Sequence, residues 1–201
     1  MPGTTDVSPE SLPQDLEDLR QQLDAAEREA TALIEDLDDE RLNWRPSPAA
    51  WSIAQCLDHL SAASRVYLVA MEGAAAAARR RGWQRRGPIR PGAPSRWFLR
   101  ELEPPPRRRL RAPRKIAPMA PASRAGKAAV GEEFGRQQAR ARALLAAVAD
   151  LDLNRARFVN PFIPLVRFTL GTGFLVIAAH QRRHLVQAAR LRQRPDFPSS
   201  P

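Results

Sequence analysis

The chain has 201 residues, 43% of them hydrophobic, which suffices for the core of one domain. Its 32 basic against 22 acidic side chains give a formal net charge of +10, but the charge is segmental. Residues 1–40 hold 13 acids and two bases, whereas residues 79–127 hold 16 bases, two acids and nine of the 19 prolines, so the charge describes a segment and not the whole domain.

One cysteine, Cys56, excludes an internal disulfide framework and fits a reducing compartment. The first 30 residues are acidic and lack an apolar stretch of signal-peptide type, and the longest apolar runs, such as 174–179, are too short to span a bilayer. A soluble cytoplasmic protein with no membrane partner is expected.

Residues 1–11 read as a flexible tail. Ser11 with Gln14 three positions on, and Pro13 in the first turn, reads as a capping box. Leu16, Leu19, Leu23, Ala26, Ala30, Leu33 and Leu37 then recur at three- and four-residue steps, the stripe of an amphipathic helix with acids on its wet face. Two prolines, Pro46 and Pro48, interrupt that pattern, since each pushes its predecessor out of the helical region.

A second capping box, Ser52 with Gln55, opens a second helix whose stripe runs from Ile53 through Cys56, Leu57, Leu60, Ala63, Tyr67 and Met71. Trp44 and Trp51 are placed to plug the end of the core. Beyond residue 78 the pattern dissolves into a proline- and arginine-rich insertion, about residues 79–127, relieved by one short helix near 95–102. Loops of this length inside a domain are lids, binding loops or disordered segments.

A third helix is expected from Ala128, with Phe134, Ala141, Leu144, Leu145, Val148 and Leu151 inward. An apolar connection, 158–168, leads to a fourth helix starting near Thr172, whose end is marked by Arg190, Arg192, Arg194 and Pro195. No repeat and no alternating strand pattern is visible. The fold class is therefore all-α: a four-helix bundle domain over 12–194, the long Pro/Arg-rich insertion between its second and third helices, and a C-terminal tail at 195–201.

Only three histidines occur, and two of them, His180 and His184, are spaced i and i+4, so both imidazoles share one helix face. The third, His59, lies on the flank of the second helix's apolar stripe, about 10 Å from its cap, while the pair lies about 12 to 18 Å beyond Thr172. In a simple up-down-up-down bundle the second and fourth helices run parallel and the three rings meet at similar depth; with a crossover connection the match loosens without failing. Three imidazoles make an open nitrogen set for a divalent ion; a structural zinc site is normally closed by four protein ligands and rich in cysteine. A single histidine on an apolar flank also reads as a hydrogen-bonded core residue, and an i,i+4 pair as a surface coincidence.

The stretch Trp51-Ser52-Ile53-Ala54-Gln55-Cys56-Leu57-Asp58-His59-Leu60, followed by His180-Gln181-Arg182-Arg183-His184-Leu185-Val186-Gln187, resembles the signature of the DinB-like (YfiT-like) superfamily of metalloenzymes. That resemblance spans about residues 12 to 194. It implies a four-helix bundle holding a divalent metal ion through His59, His180 and His184. It further implies, from some relatives, a thiol S-transferase or isomerase-like activity in which the metal activates a low-molecular-weight thiol for attack on an electrophile. Homodimers are common in such a family.

Arg183 and Gln187 flank the pair and read either as groups that orient a ligand or bind a substrate carboxylate, or as a solvated face. Cys56, one turn from His59, reads either as a soft ligand or as a small core hydrophobe. Trp83, Trp97 and Phe98 interleave with the insertion's arginines, which admits nucleic-acid contact as a minor reading. The favoured place for the insertion is over the open end of the bundle, aromatics in the pocket wall and arginines attracting an anionic thiol. Two functions stand at this level: a metal-dependent thiol-transferring enzyme using zinc, nickel or iron, or a non-catalytic, stress-related helical module for binding or dimerisation.

Overall fold

The computed structural model describes residues 12–105, 126–163 and 165–199. In chain order its helices are α1 (Gln14–Ile34), the short α2 (Asp39–Asn43), α3 (Ile53–Arg80), α4 (Ala93–Leu102), α5 (Lys127–Ala147) and α6 (Leu170–Arg192). The bundle is built from α1, α3, α5 and α6.

The leucine stripe of α1 is its buried face: Leu16, Leu19, Leu23, Ala26, Ala30 and Leu33 are at most 8% exposed. Its start differs from the expected capping box. Pro13 occupies the N-cap position without a side-chain bond, its carbonyl accepting the Leu16 and Glu17 amides, and Asp15 and Glu17 complement the helix dipole. Ser11 lies outside the described residues.

The second capping box is present as expected. Ser52 Oγ accepts the Gln55 amide at 3.1 Å and Gln55 Oε1 accepts the Ser52 amide at 3.0 Å. At the other end, Gly82 adopts φ 62°. Trp83 N–H bonds back to Ala78 O and Gly82 N–H to Arg79 O, a Schellman ending that any residue with a Cβ would strain. Both ends of α3 are thus fixed by local chemistry.

The helix directions follow from which residues meet. Arg142 of α5 bonds Asp24 and Glu27 of α1 while Lys127 reaches Glu35 O, so these helices are antiparallel. Arg182 of α6 bonds Gln22, and Arg192 bonds Leu33 O, so α1 and α6 are parallel. Arg65 meets Glu133 and Arg140 meets Glu72, so α3 and α5 are parallel. His59 meets His180, while Met71 lies against Gly173, so α3 and α6 are antiparallel neighbours. The bundle therefore runs up-down-down-up, with α1 packing on α5 and α6, and α3 packing on the same two.

This overturns the expected parallel run of the second and fourth helices. Parallel neighbours such as α3 and α5 cannot be joined by a tight turn, because the chain must travel back along the bundle. The 28 residues of α3 set that return at about 42 Å. The stretch 81–126 is the connection that makes it. The depth match of the histidines survives the reversal because His180 and His184 lie near the middle of α6, about 12 to 18 Å from its C-terminal end as well.

The described part of the return is tied to the bundle. Residues 83–85 run extended against 150–152: Gln84 bridges Leu151, Arg85 N–H bonds Asp150 O at 2.8 Å, and Asp152 N–H bonds Trp83 O at 2.9 Å. The expected short helix is α4, which packs on α6, with Phe98 against Phe168 at 5.4 Å between ring centroids. The rest of the insertion, 106–125, lies outside the described residues.

Two further differences concern the connections. The link expected to be strandless contains an antiparallel pair, β1 (Arg157–Val159) with β2 (Arg167–Thr169). Each strand carries one inward phenylalanine, and three residues are too short for a visible period. In the C-terminal tail, Phe197 packs edge-on against Trp44 at 5.3 Å and Arg41 donates to Pro198 O. Trp44 does close one end of the core, through that partner.

No described helix is long and apolar enough to cross a membrane. α6 begins under the Thr169 cap and approaches α3 closely at Gly173, where an added Cβ would lie 2.7 Å from Met71 Sδ and 3.0 Å from Phe158 Cε1. Gly173→Val is expected to destabilise the protein by about 1–3 kcal/mol through overpacking. Urea unfolding monitored by circular dichroism measures it, and an unchanged midpoint would show that the two helices separate without cost.

Candidate metal centre

α3 and α6 bring all three histidines to one point. His59, in the second turn of α3, is 2% exposed; His184 is 8% exposed, and His180 is the most open of the three. Their ring centroids are 4.7 to 4.9 Å apart and the rings are mutually edge-on, so they face a shared centre instead of stacking. His59 Nε2 and His180 Nε2 are 3.1 Å apart. One nitrogen from each ring falls within a set whose members all lie within 4.8 Å of one another.

Electrostatics holds the His180 and His184 rings in the neutral form. Burial holds the His180 imidazole well below its ordinary pKa, reinforced by the charges of His184, His59 and Arg183. Burial likewise lowers His184 to about 3, with His59 and Arg183 adding to it and the Gln187 bond opposing it. Neutral imidazole is the form that offers a lone pair.

The surrounding side chains sort cleanly. Gln187 Oε1 lies 3.0 Å from His184 Nδ1; with Nδ1 donating, Nε2 is left as the bare nitrogen facing the centre. Arg183 is half-buried, donates to Glu101 O of α4 at 2.8 Å, and is close enough to act on both His180 and His184. Burial lowers its pKa. Cys56 is fully buried in the apolar cluster with Leu57, Leu60 and Leu185, and its sulfur is not one of the converging donors.

Trp51 was expected only as an end plug, but it also forms a wall of the site. Its indole stacks on His184 at 5.4 Å and 18°, and lies 4.9 Å from His59. The available signal was its position immediately before the Ser52 cap, which returns it over the first turns of α3. Among the described residues of the insertion, the aromatics do not line this site. Phe98 packs at the hairpin, Trp83 lies with Arg81 and Arg155 beyond the C-terminal end of α3, and Trp97 is 53% exposed. What reaches the site from α4 is the Glu101 carbonyl on Arg183.

The donor set fits a divalent ion. Two nitrogens each about 2.0 to 2.1 Å from one ion, at tetrahedral or right-angled positions, stand about 2.9 to 3.4 Å apart, and the His59 and His180 nitrogens are already 3.1 Å apart. Among the described residues no fourth histidine, cysteine or carboxylate joins the cluster.

The sequence model of the DinB superfamily matches residues 22–188. Among solved structures, YfiT from Bacillus subtilis, described as a probable metal-dependent hydrolase with an unusual four-helix bundle topology, is similar with a TM-score of 0.59 and 16% identity, over 95% of this chain and 94% of that one. No curated protein matches the chain.

Burial pushes the Cys56 thiol up to about 12, so the protonated form dominates until the pH passes that value. Labelling by a disulfide reagent at pH 8 is expected to be about a thousandfold slower in the folded protein than in denaturant and to speed up as pH rises. Rapid labelling of folded protein at pH 8 would contradict this.

Proposed function

The chain belongs to the DinB superfamily, and on that premise we propose that it is a divalent-metal-dependent enzyme in which His59, His180 and His184 hold the ion and leave part of its coordination open. The observation that carries this reading is the convergence of three imidazoles, His180 and His184 held neutral, with no fourth protein donor among the described residues. Three protein ligands with an open position is the catalytic pattern.

An ion bound there lowers the pKa of a coordinated water or thiol, supplying a nucleophile at neutral pH. The chain's own residues supply the remainder. Gln187 holds the His184 ring in one tautomer, and Trp51 shields the His59 and His184 side from water. Arg183 places a positive charge beside the more open His180, which favours an anionic reactant over a neutral one.

The finer reading is that the nucleophile is a low-molecular-weight thiol transferred to an electrophile, in a reducing cytoplasm. Its supports are the family resemblance, the cation at the open side and the single unpaired cysteine, Cys56. Zinc, nickel and iron all suit imidazole, and availability selects among them.

Elemental analysis of untagged protein is expected to find one divalent ion per chain, lost in His184→Ala while circular dichroism stays unchanged. Wild type that stays folded and takes up no ion when supplied with zinc, nickel or iron would end the metal reading. Gln187→Leu is expected to weaken metal affinity about 10- to 100-fold with the fold retained. Loaded protein mixed with an alkylating electrophile is expected to consume it only when a small thiol is added. Consumption by water alone would replace thiol transfer with hydrolysis.

A further inference from the structure

A second site lies at the other end of the bundle, beyond the C-terminal end of α3. A cavity of about 210 Å³ is lined by Gly82, Trp83, Gln84, Arg85, Arg86, Asp152 and Arg155. At about 30 Å³ of liquid volume per water, it has room for a tetrahedral oxyanion with part of its hydration shell.

Its walls are clamped by backbone. The 83–85 segment is paired with 150–152, and the Schellman ending of α3 fixes where that segment begins. Asp152 faces the cavity, but its Oδ1 already accepts the Asn154 and Arg155 amides at 3.1 and 3.0 Å. Asn154 in turn accepts the Arg90 amide and donates to Pro88 O, holding the opposite stretch of chain.

Three arginines line this cavity. Arg85 is largely buried, with 16% of its side chain exposed, and one of its amine nitrogens, Nη2, is spent on Asp15. The other, Nη1, is buried without any hydrogen-bond partner. That nitrogen is closed off from the cavity's water-sized space, so Arg85 contributes charge to the wall and not a free donor. Among the described residues neither Arg155, which lies over the Trp83 ring at 4.3 Å, nor the exposed Arg86 pairs with a carboxylate. Even with Asp15 and Asp152 both counted, the cavity carries an excess of positive charge.

We propose that this arginine-lined cavity is a binding site for a phosphate-class oxyanion, separate from the histidine centre. Arg86 and Arg155 supply the clamp, Arg85 adds positive charge to the wall, and guanidinium geometry suits paired bonds to a tetrahedral oxyanion. The same chemistry is offered by free inorganic phosphate and by the backbone of a nucleic-acid strand.

The test uses the full chain at fixed ionic strength. Calorimetric titration with inorganic phosphate is expected to show saturable binding that chloride does not reproduce. The double variant Arg86→Ala, Arg155→Gln is expected to weaken it at least tenfold, whereas Arg28→Ala, Arg190→Ala, which removes the same charge from exposed positions on other helices, is expected to leave it within twofold. A labelled single-stranded oligonucleotide forms the second arm. Tighter binding of the strand, lost in the same double variant, supports the proposal with nucleic acid as the source. Binding of phosphate alone supports it with a small anion as the source. No saturable phosphate response, or a response to either anion that survives the double variant in a protein with unchanged circular dichroism, overturns it.

Discussion

The antiparallel contact between α3 and α6 is the constraint on which the rest of the molecule depends. It places a ring from the second turn of one helix against two rings from the middle of the other, with two nitrogens 3.1 Å apart. Packed against one another and against His59, His180 and His184 stay uncharged, since burial and mutual repulsion both penalise their protonation. A neutral ring keeps one bare nitrogen, and where His59 Nε2 and His180 Nε2 meet, one ring donates an N–H to the other or, with both nitrogens bare, a cation would take the proton's place.

Several features far from the histidines serve that contact. The Ser52–Gln55 box sets where α3 begins, and so the rotation at which His59 faces inward. Gly173 lets α6 come close to α3 at the opposite end from the histidines. Two helices pinned at both ends have little freedom to rotate, so the rings are positioned by backbone chemistry more than by their own contacts. The up-down-down-up order follows from the same need: α3 and α6 are made neighbours, and the cost is a return connection as long as the bundle.

What the sequence revealed, and what it hid, divides along the range of the interaction. The leucine stripe, the second capping box and the His180/His184 spacing are local, and each is visible within one or two helical turns of sequence. The orientation of α6 relative to α3 is not, because it depends on the path of 81–126 and 148–169, and periodicity carries no information about path. The β1–β2 pair was invisible because three residues hold no period. Trp51 was placed correctly at the core's end, but its contact with His184 on another helix required the tertiary fold. Pro13 took the place assigned to Ser11 because a carbonyl and first-turn acids suffice to start a helix.

The uneven charge has a structural explanation. Acids concentrated in the first 40 residues meet arginines from three other parts of the chain: Asp15 with Arg85, Asp24 and Glu27 with Arg142, and Asp36 with Arg192; the amide of Gln22 also accepts from Arg182. Such partly exposed pairs each contribute little to stability, so their effect is to select which helix lies beside α1 and at what height. Arginines without an acidic partner are then the ones with charge to offer, and Arg86 and Arg155 meet at one cavity. Trp83, whose neighbours in sequence suggested a stacking platform for bases, has guanidiniums of Arg81 and Arg155 over its ring at 5.0 and 4.3 Å. A ring already covered by cations cannot stack on a base without displacing them. That end of the molecule is thus suited to meeting a phosphate through charge, and poorly suited to reading a base through contact.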